Sequence, residues 1–441
     1  MKNVLIVSTR CHERKIPTFV MWGGWAVASY LKRSIKDSDV VFLDEDNEDD
    51  FFEKFKALLP SRDTVGFTLT SMQIKFTLPL IKFIKTNYPG VRVVVGGIHP
   101  ILFPDQDYGP LVDEVVTEDL PKDHFDYELM PKKLKEVFRS RAQIVTAFNC
   151  SFKCAFCVNS VRNCRYEAVP IERVKADIDY VVKEFNPKKI YFRDEHFFQD
   201  INRAKELVDY ILEKNYKFNW DTNCRVTDFM PGRIDDAFFE KIVASGCKLL
   251  RFGVESGSQR LLNYLRKGQT PDQIRFAMKQ CVKFKTNAAC SMIIGVPGET
   301  EEDRRQSYKL IEDITGYGKE ISILGPQIYR PYPGGILYEE IKKYGFKFPE
   351  KFEDWADYYS EKNNPIGEVL DSGIDYPWLT KKENAFMPYV FVVIHYGTNY
   401  IKEKSLLKKL IGYYINIFHW RTRWFGGPDL KLIMWARRKF F

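Results

Sequence analysis

The chain has 441 residues, 45% of them hydrophobic and 15% aromatic, with a formal net charge of +8; this is enough apolar mass for two or three packed domains and too much for a disordered one. No run reaches the ~18 apolar residues of a membrane span, and the apolar stretch of the opening MKNVLIVSTR is too short for a secretion signal and reads as a first strand. Nine cysteines, an odd number, argue against a disulfide framework and for a reducing, cytoplasmic compartment.

The first third alternates short Val/Ile runs with helical patterns. Strands are expected at 4–8, 40–44, 64–70, 91–97 and 113–117, and helices near 22–34, 50–59 and 74–87. Unbroken apolar strands between helices mean a parallel sheet covered on both faces, hence a doubly wound Rossmann-like domain over 1–120. Its ligand belongs at the carboxyl ends of the strands. The absence of GxGxxG after the first strand argues against a dinucleotide. Thr68, Thr70 and Ser71 close the third strand, and Gly96, Gly97 and His99 follow the fourth; small hydroxyl residues and a glycine pair let a large group approach the backbone. The run DEDNEDDFFE (44–53) holds seven acids and is expected to be a solvated loop and helix start rather than a metal site. Residues 121–142, polar and with Pro121 and Pro131, read as a linker.

From 143 to 345 a strand-then-helix pattern repeats six times, with strands expected at 143–149, 188–194, 216–222, 247–255, 288–295 and 320–328. That is a partial (β/α)6 TIM-like barrel, with its chemistry at the carboxyl ends of the strands. Directly after its first strand comes NCSFKCAFCVNS, with Cys150, Cys154 and Cys157. Three thiolates at this spacing can cap three irons of a [4Fe-4S] cube and leave the fourth iron open to a substrate. A ferredoxin site would need a fourth cysteine, and structural zinc sites use two Cys or Cys/His pairs. Cys164 lies seven residues on, in a basic stretch, and reads as a bystander.

The CxxxCxxC spacing, with Phe156 just before the third cysteine, resembles the cluster loop of the radical SAM superfamily. Residues 1–120 resemble the cobalamin-binding domain that precedes the barrel in many of its members, although the DxHxxG loop that supplies a histidine to cobalt elsewhere is missing. The resemblance implies a [4Fe-4S] cluster on the three cysteines, S-adenosylmethionine (SAM) cleaved reductively to a 5'-deoxyadenosyl radical, and cobalamin near Thr68, Thr70, Ser71, Gly96, Gly97 and His99. It implies that Asp194 or Glu195 meets the SAM amino group; the family's Gly-Gly-Glu is here Arg193-Asp194-Glu195. It also implies that Glu255 and Ser256 reach the ribose, that Lys267 neutralises the carboxylate, and that Ser291 stands near adenine. Tyr329, Arg330 and Tyr332 at the last strand's rim are the expected substrate residues.

The function implied is cobalamin-dependent methyl transfer to an unactivated carbon or phosphinate-like centre, with a one-electron reductant such as flavodoxin or ferredoxin as partner. A radical cyclase, oxidase or rearrangement enzyme is the alternative, and a non-catalytic iron-sulfur or membrane-surface scaffold the second. A methylthiotransferase would need three further cluster cysteines, and only Cys11 precedes Cys150.

Residues 346–441 form a basic, aromatic, mostly helical C-terminal part. Over 380–441 twelve Lys/Arg stand against three Asp/Glu. The stretch 406–425 has the composition of a helix packed on the barrel with a solvated basic face, or of one making peripheral contact with the inner membrane face through 406–441. The substrate is accordingly a small or lipid-like molecule, and nucleic acid is not expected. His124, His196, His395 and His419 are expected to be structural, as are Cys11, Cys224, Cys247, Cys281 and Cys290.

Overall fold

The computed structural model describes residues 2–11, 22–119, 125–162, 165–331, 335–358 and 376–440. Cys164, His124 and Tyr332 lie outside the described residues. Two compact units emerge, one from 1–142, 183–187 and 347–367 and the other from 143–182, 188–346 and 368–441.

In the first unit β1 (Asn3–Ser8), β2 (Asp39–Asp44), β3 (Thr64–Thr68), β4 (Arg92–Gly96) and β5 (Glu114–Val115) form a parallel sheet in the order β2-β1-β3-β4-β5. This is the doubly wound Rossmann-like arrangement. Leu5, Val7, Phe67 and Val95 on the strands meet Phe55 and Ile81 from the helices Phe51–Leu58 and Ile74–Asn87 in one buried core. Phe352 and Trp355 join that core, so the expected C-terminal domain 346–441 is divided between the two units.

The acidic run after β2 departs from expectation. Asp44, Asp46 and Asn47 are buried, because the Asp44 carboxylate accepts from Asp46 N at 3.1 Å and Asn47 Nδ2 at 2.8 Å and so folds the turn around itself. Burial pushes Asp44 up to about 7. Four of the other acids of the run find cations: Glu45 pairs with Arg10, Glu48 with Lys54, Asp49 with Lys133 and Glu53 with Lys56.

The second unit contains β6 (Arg141–Ile144) from Gln143 onward, β7 (Ala147–Phe148), β8 (Glu167–Ala168), β9 (Lys189–Phe192), β10 (Asn219–Cys224), β11 (Cys247–Glu255), β12 (Asn287–Ile294) and β13 (Ile321–Ile328). Six of these make a sheet in the order β13-β12-β11-β10-β9-β6, strands in chain sequence with helices between them, which is the partial TIM-like barrel. The first barrel strand, expected over 143–149, is broken. β6 stays in the barrel, while β7 pairs antiparallel with β8. The cause is Thr146 between them, whose amide and hydroxyl donate to Asp194 instead of continuing the ladder.

The open edge of β13 is covered by the helix Lys381–Asn399, the first of three C-terminal helices with Leu406–Ile415 and Pro428–Phe440. Asn399 Oδ1 accepts from Ile323 N at 3.0 Å, and its Nδ2 donates to Ile323 O at 2.8 Å. Lys402 Nζ caps Ile321 O at 2.6 Å. A sheet edge that would otherwise present unpaired backbone groups is satisfied by side chains. Among the described residues no helix is long and apolar enough to cross a membrane.

Candidate functional site

Because the barrel strands are parallel, everything that follows a strand's carboxyl end collects on one face. The cluster loop follows β7, Asp194 and Glu195 follow β9, Arg225 follows β10, Glu255 ends β11, Ser291 lies in β12 and Tyr329 follows β13.

The loop 149–160 is shaped by its backbone. Asn149 takes a positive φ of 65°, a region asparagine tolerates, and its Nδ2 donates to Arg165 O at 3.0 Å. Cys157 N donates to Cys154 O at 3.0 Å, and Ala155 N to Leu265 O at 2.9 Å, which pins the loop to the turn carrying Lys267. Burial pushes the Cys150 and Cys157 thiols up; the Arg225 guanidinium opposes this at Cys150 and the Lys267 ammonium at Cys157. Binding iron requires the thiolates, and the two cations favour that form.

Arg225 was not anticipated from the sequence and is central to the arrangement. Its Nη1 lies 3.6 Å from Cys154 Sγ, its guanidinium stacks 3.7 Å from the Phe152 ring centroid, and its Nη2 donates to Lys267 O. Its Nε is buried with no hydrogen-bond partner among the described residues. Asp228 Oδ2 accepts from Arg225 N at 2.8 Å and from His196 Nε2 at 2.7 Å, so the expected structural role of His196 includes fixing the turn that aims Arg225. The available signal was position: Arg225 is the first residue after a barrel strand.

Lys267 Nζ reaches Glu255 Oε1 at 3.2 Å, both side chains 6% exposed, and lies 5.6 Å from the Phe156 ring centroid. Glu255 takes a φ of 66° at a register shift between β11 and β12, which turns its carboxylate out of the strand. Ser291 Oγ approaches Glu255 Oε2 at 3.4 Å and Phe252 O at 3.2 Å. Gly253 makes room for the pair: a Cβ there would stand 2.5 Å from both Glu255 Oε1 and Lys267 Nζ. Ser256 is turned inward, with its hydroxyl 3.0 Å from Ser307 Oγ. One polar chain thus runs from Cys154 through Arg225, Lys267 and Glu255 to Ser291.

The two adjacent acids after β9 have separate environments. Asp194 is 1% exposed and accepts from Thr146 N at 2.7 Å and from the Thr146 hydroxyl; burial raises it to about 6. Glu195 is exposed. Tyr329 is buried, with its ring 6.1 Å from that of Trp378, and Arg330 is half-buried.

Among the described residues no three His, Cys, Asp or Glu side chains converge on a single ion. A cube several ångströms across separates its thiolates more widely than one ion does. The three thiols, two cations and an orphaned guanidinium nitrogen fit an anionic cluster of that kind.

The carboxyl edge of the first unit's sheet is lined by the expected small residues, and most of them bond to one another. Thr68 Oγ1 meets Ser8 Oγ at 3.2 Å. Gly97, at φ 97°, is required because a Cβ would come within 2.8 Å of Leu69 N. His99, expected at the ligand edge, is instead fully enclosed: its Nδ1 meets Ser71 Oγ at 2.9 Å, its Nε2 meets Gln106 Oε1 at 2.8 Å, and burial lowers it to about 4. Thr70 N is capped by Gln73 Oε1 at 2.8 Å. Gly96 lies directly before this turn, where a Cβ would stand 3.3 Å from that of Val116. Both His99 nitrogens are thus engaged inside the unit, and neither is offered to a ligand at this edge.

The profile of the Radical SAM superfamily matches residues 144–311. Residues 144–311, which hold the three cysteines and the polar chain from Arg225 to Ser291, are therefore similar to a radical SAM domain. An uncharacterized methyltransferase of Pyrococcus horikoshii is 30% identical over 234 residues, 52% of this chain and 48% of the relative, so the match spans about half the relative's length. The anaerobic magnesium-protoporphyrin IX monomethyl ester cyclase of Rubrivivax gelatinosus is 22% identical over 88% of this chain and 76% of its own. Among solved structures, the radical SAM methyltransferase TsrM of Kitasatospora setae, with tryptophan and a SAM analogue bound, superposes with a TM-score of 0.65 at 14% identity. That match covers 100% of this chain and 99% of TsrM, and it shows that the two share a fold. TsrM has also been solved with cobalamin and a [4Fe-4S] cluster.

Proposed function

We propose that the protein is a cobalamin-dependent radical SAM methyltransferase, whose acceptor is an unactivated carbon or phosphinate-like centre of a small or lipid-like molecule. The observation that carries the reading is the continuous polar chain from Cys154 through Arg225 and Lys267 to Glu255 and Ser291 on the barrel's carboxyl edge. It joins the cluster loop to a cation and a carboxylate, the groups that would receive the carboxylate and ribose of SAM. When bound, the cluster supplies the electron that cleaves SAM, and the corrin supplies methyl-group carriage.

Cys150, Cys154 and Cys157 hold the cluster as thiolates. Arg225 offsets negative charge at Cys154. Lys267 binds the SAM carboxylate while remaining beside Glu255, whose other oxygen accepts from the ribose. Glu195, exposed at the rim, takes the SAM amino group; Asp194, committed to Thr146, positions the loop leading to the first cysteine. Arg330 and Tyr329 line the substrate side. The small residues from Thr68 to Ser71, with Gly96 and Gly97, hold the corrin against the backbone. A flavodoxin- or ferredoxin-type protein delivers the electron.

The resemblance to a cyclase over most of the chain favours a second reading, a radical cyclisation without methyl transfer. Product analysis separates the two. Reduced, cobalamin-supplied enzyme turning over SAM should release S-adenosylhomocysteine and 5'-deoxyadenosine in equal amounts. Deoxyadenosine alone would replace methyl transfer with the second reading, and neither product would reject both.

A further inference from the structure

The helix Leu406–Ile415 and the turn Asn416–Trp420 that continues it are fastened to their unit by one face. Gly412, Ile415, His419 and Trp420 are buried, and Asn416 Nδ2 donates to Gly397 O at 2.8 Å. His419 Nε2 meets Asp429 Oδ2 at 2.6 Å and its ring stacks on Trp424, so the segment has a fixed orientation.

The other face is apolar and open. Leu406, Leu407 and Leu410 are 71%, 64% and 57% exposed, Tyr413 48%, and Ile417 and Phe418 continue the row at 49% and 54%. At helical spacing the four in the helix fall within an arc of about 120°. Single exposed leucines need no explanation, but a contiguous row of six large apolar side chains marks a contact surface.

Charge identifies what covers it. Residues 404–421 include Lys404, Lys408, Lys409 and Arg421 and no Asp or Glu. Lys409 borders the apolar arc and Lys404 precedes it on the exposed side, whereas Lys408 lies on the packed face with its Nζ 5.6 Å from the Tyr400 ring centroid. A second copy would bring like-charged rims together, whereas an anionic surface is complementary to them. A ten-residue helix is about half the length needed to cross a hydrocarbon core, so it can only lie along an interface. A tyrosine at the border of such a face suits the head-group level.

We propose that the outer face of 406–418 docks in the plane of a bilayer surface bearing anionic head groups, leucines inward and lysines toward the lipid charge. The contact needs neither cluster nor SAM, so its failure would leave the proposed reaction untouched.

The test is flotation of the full-length holoenzyme with phosphatidylcholine vesicles, with and without about 30% phosphatidylglycerol. The wild-type chain should float with the anionic vesicles, at least about tenfold less with neutral ones, and less as salt is raised. Leu407→Glu/Leu410→Glu, at exposed positions, should abolish flotation while iron content and circular dichroism stay unchanged. Lys404→Glu/Lys409→Glu should remove the preference for anionic lipid. Absence of wild-type flotation with anionic vesicles, or flotation unchanged by the leucine double variant, would overturn the proposal. So would lipid-free dimers in sedimentation velocity that the same variant dissolves, which would assign the face to a second copy.

Discussion

Gly253→Ala tests the ion pair at the heart of the site with a single methyl group. Gly253 lies in a strand without a positive φ, so alanine costs nothing in backbone conformation, and any effect comes from what the methyl meets. It would stand 2.5 Å from Glu255 Oε1 and 2.5 Å from Lys267 Nζ, so both tips must withdraw. Side-chain tips can move where backbone cannot, so the fold survives at a cost of about 1–3 kcal/mol for overpacking. The displaced groups are those assigned to the SAM carboxylate and ribose. If an equal share of binding free energy is lost, SAM affinity falls roughly 5- to 150-fold. The assay is equilibrium dialysis of labelled SAM against reconstituted enzyme, alongside thermal unfolding. Gly316→Ala is the control: nothing stands within 4 Å of its Cβ, it lies in the helix Glu301–Tyr317, and it should leave SAM binding unchanged while stabilising by about 0.5–1 kcal/mol. Wild-type SAM affinity in Gly253→Ala, with its unfolding unchanged, would refute the assignment of Lys267 and Glu255.

Three other expectations use different readouts. Asp194→Ala strands the Thr146 amide and hydroxyl and should lower the iron retained after anaerobic reconstitution, whereas Glu195→Gln should keep the iron and weaken SAM binding; the reverse pattern would exchange the two roles. Arg225→Gln removes a cation 3.6 Å from Cys154 Sγ, so the reduced cluster loses stabilisation and a redox titration followed by electron paramagnetic resonance should show a more negative potential. Glu299, its side chain fully enclosed, accepts from Gly295 N at 2.7 Å and is raised by burial from 4.5 to about 7. The folded state therefore holds this proton more tightly than the unfolded state does. Its contribution, about 3 kcal/mol, is complete below the ordinary carboxylate range and is lost as pH rises through 7. Denaturation midpoints of wild type should fall between pH 5 and 8 more steeply than those of Glu299→Gln, and parallel profiles would exclude Glu299 as the source.

The strands and the cluster loop were legible because their signals are local. A buried parallel strand must be a short apolar run, so β1 to β4 and β9 to β13 lie close to where Val, Ile and Phe put them. Three cysteines in eight residues speak for themselves. The break between β6 and β7 was not legible, because it depends on a carboxylate from residue 194 capturing Thr146, 48 positions away. Arg225 was missed for the same reason: its importance lies in reaching Cys154 across 71 positions, with no motif in its own neighbourhood. His99 looked like a ligand because it follows a glycine pair at a strand end, and only the enclosing Ser71, Gln106 and Trp355 show that it packs inward. The acidic run failed in a similar way, since composition counts charges and cannot tell that Asp44 turns in to cap its own loop.

The central claim is that one chain holds both an open-site cluster on Cys150, Cys154 and Cys157 and a corrin. Anaerobic purification with iron, sulfide and hydroxocobalamin, followed by counting iron and cobalt in wild type and in the Cys150→Ala/Cys154→Ala/Cys157→Ala variant, tests it most directly. The account predicts about four irons and one cobalt per wild-type chain, and a variant that keeps cobalt and loses iron. Equal iron in the two proteins, or a wild-type chain without cobalt, would contradict it.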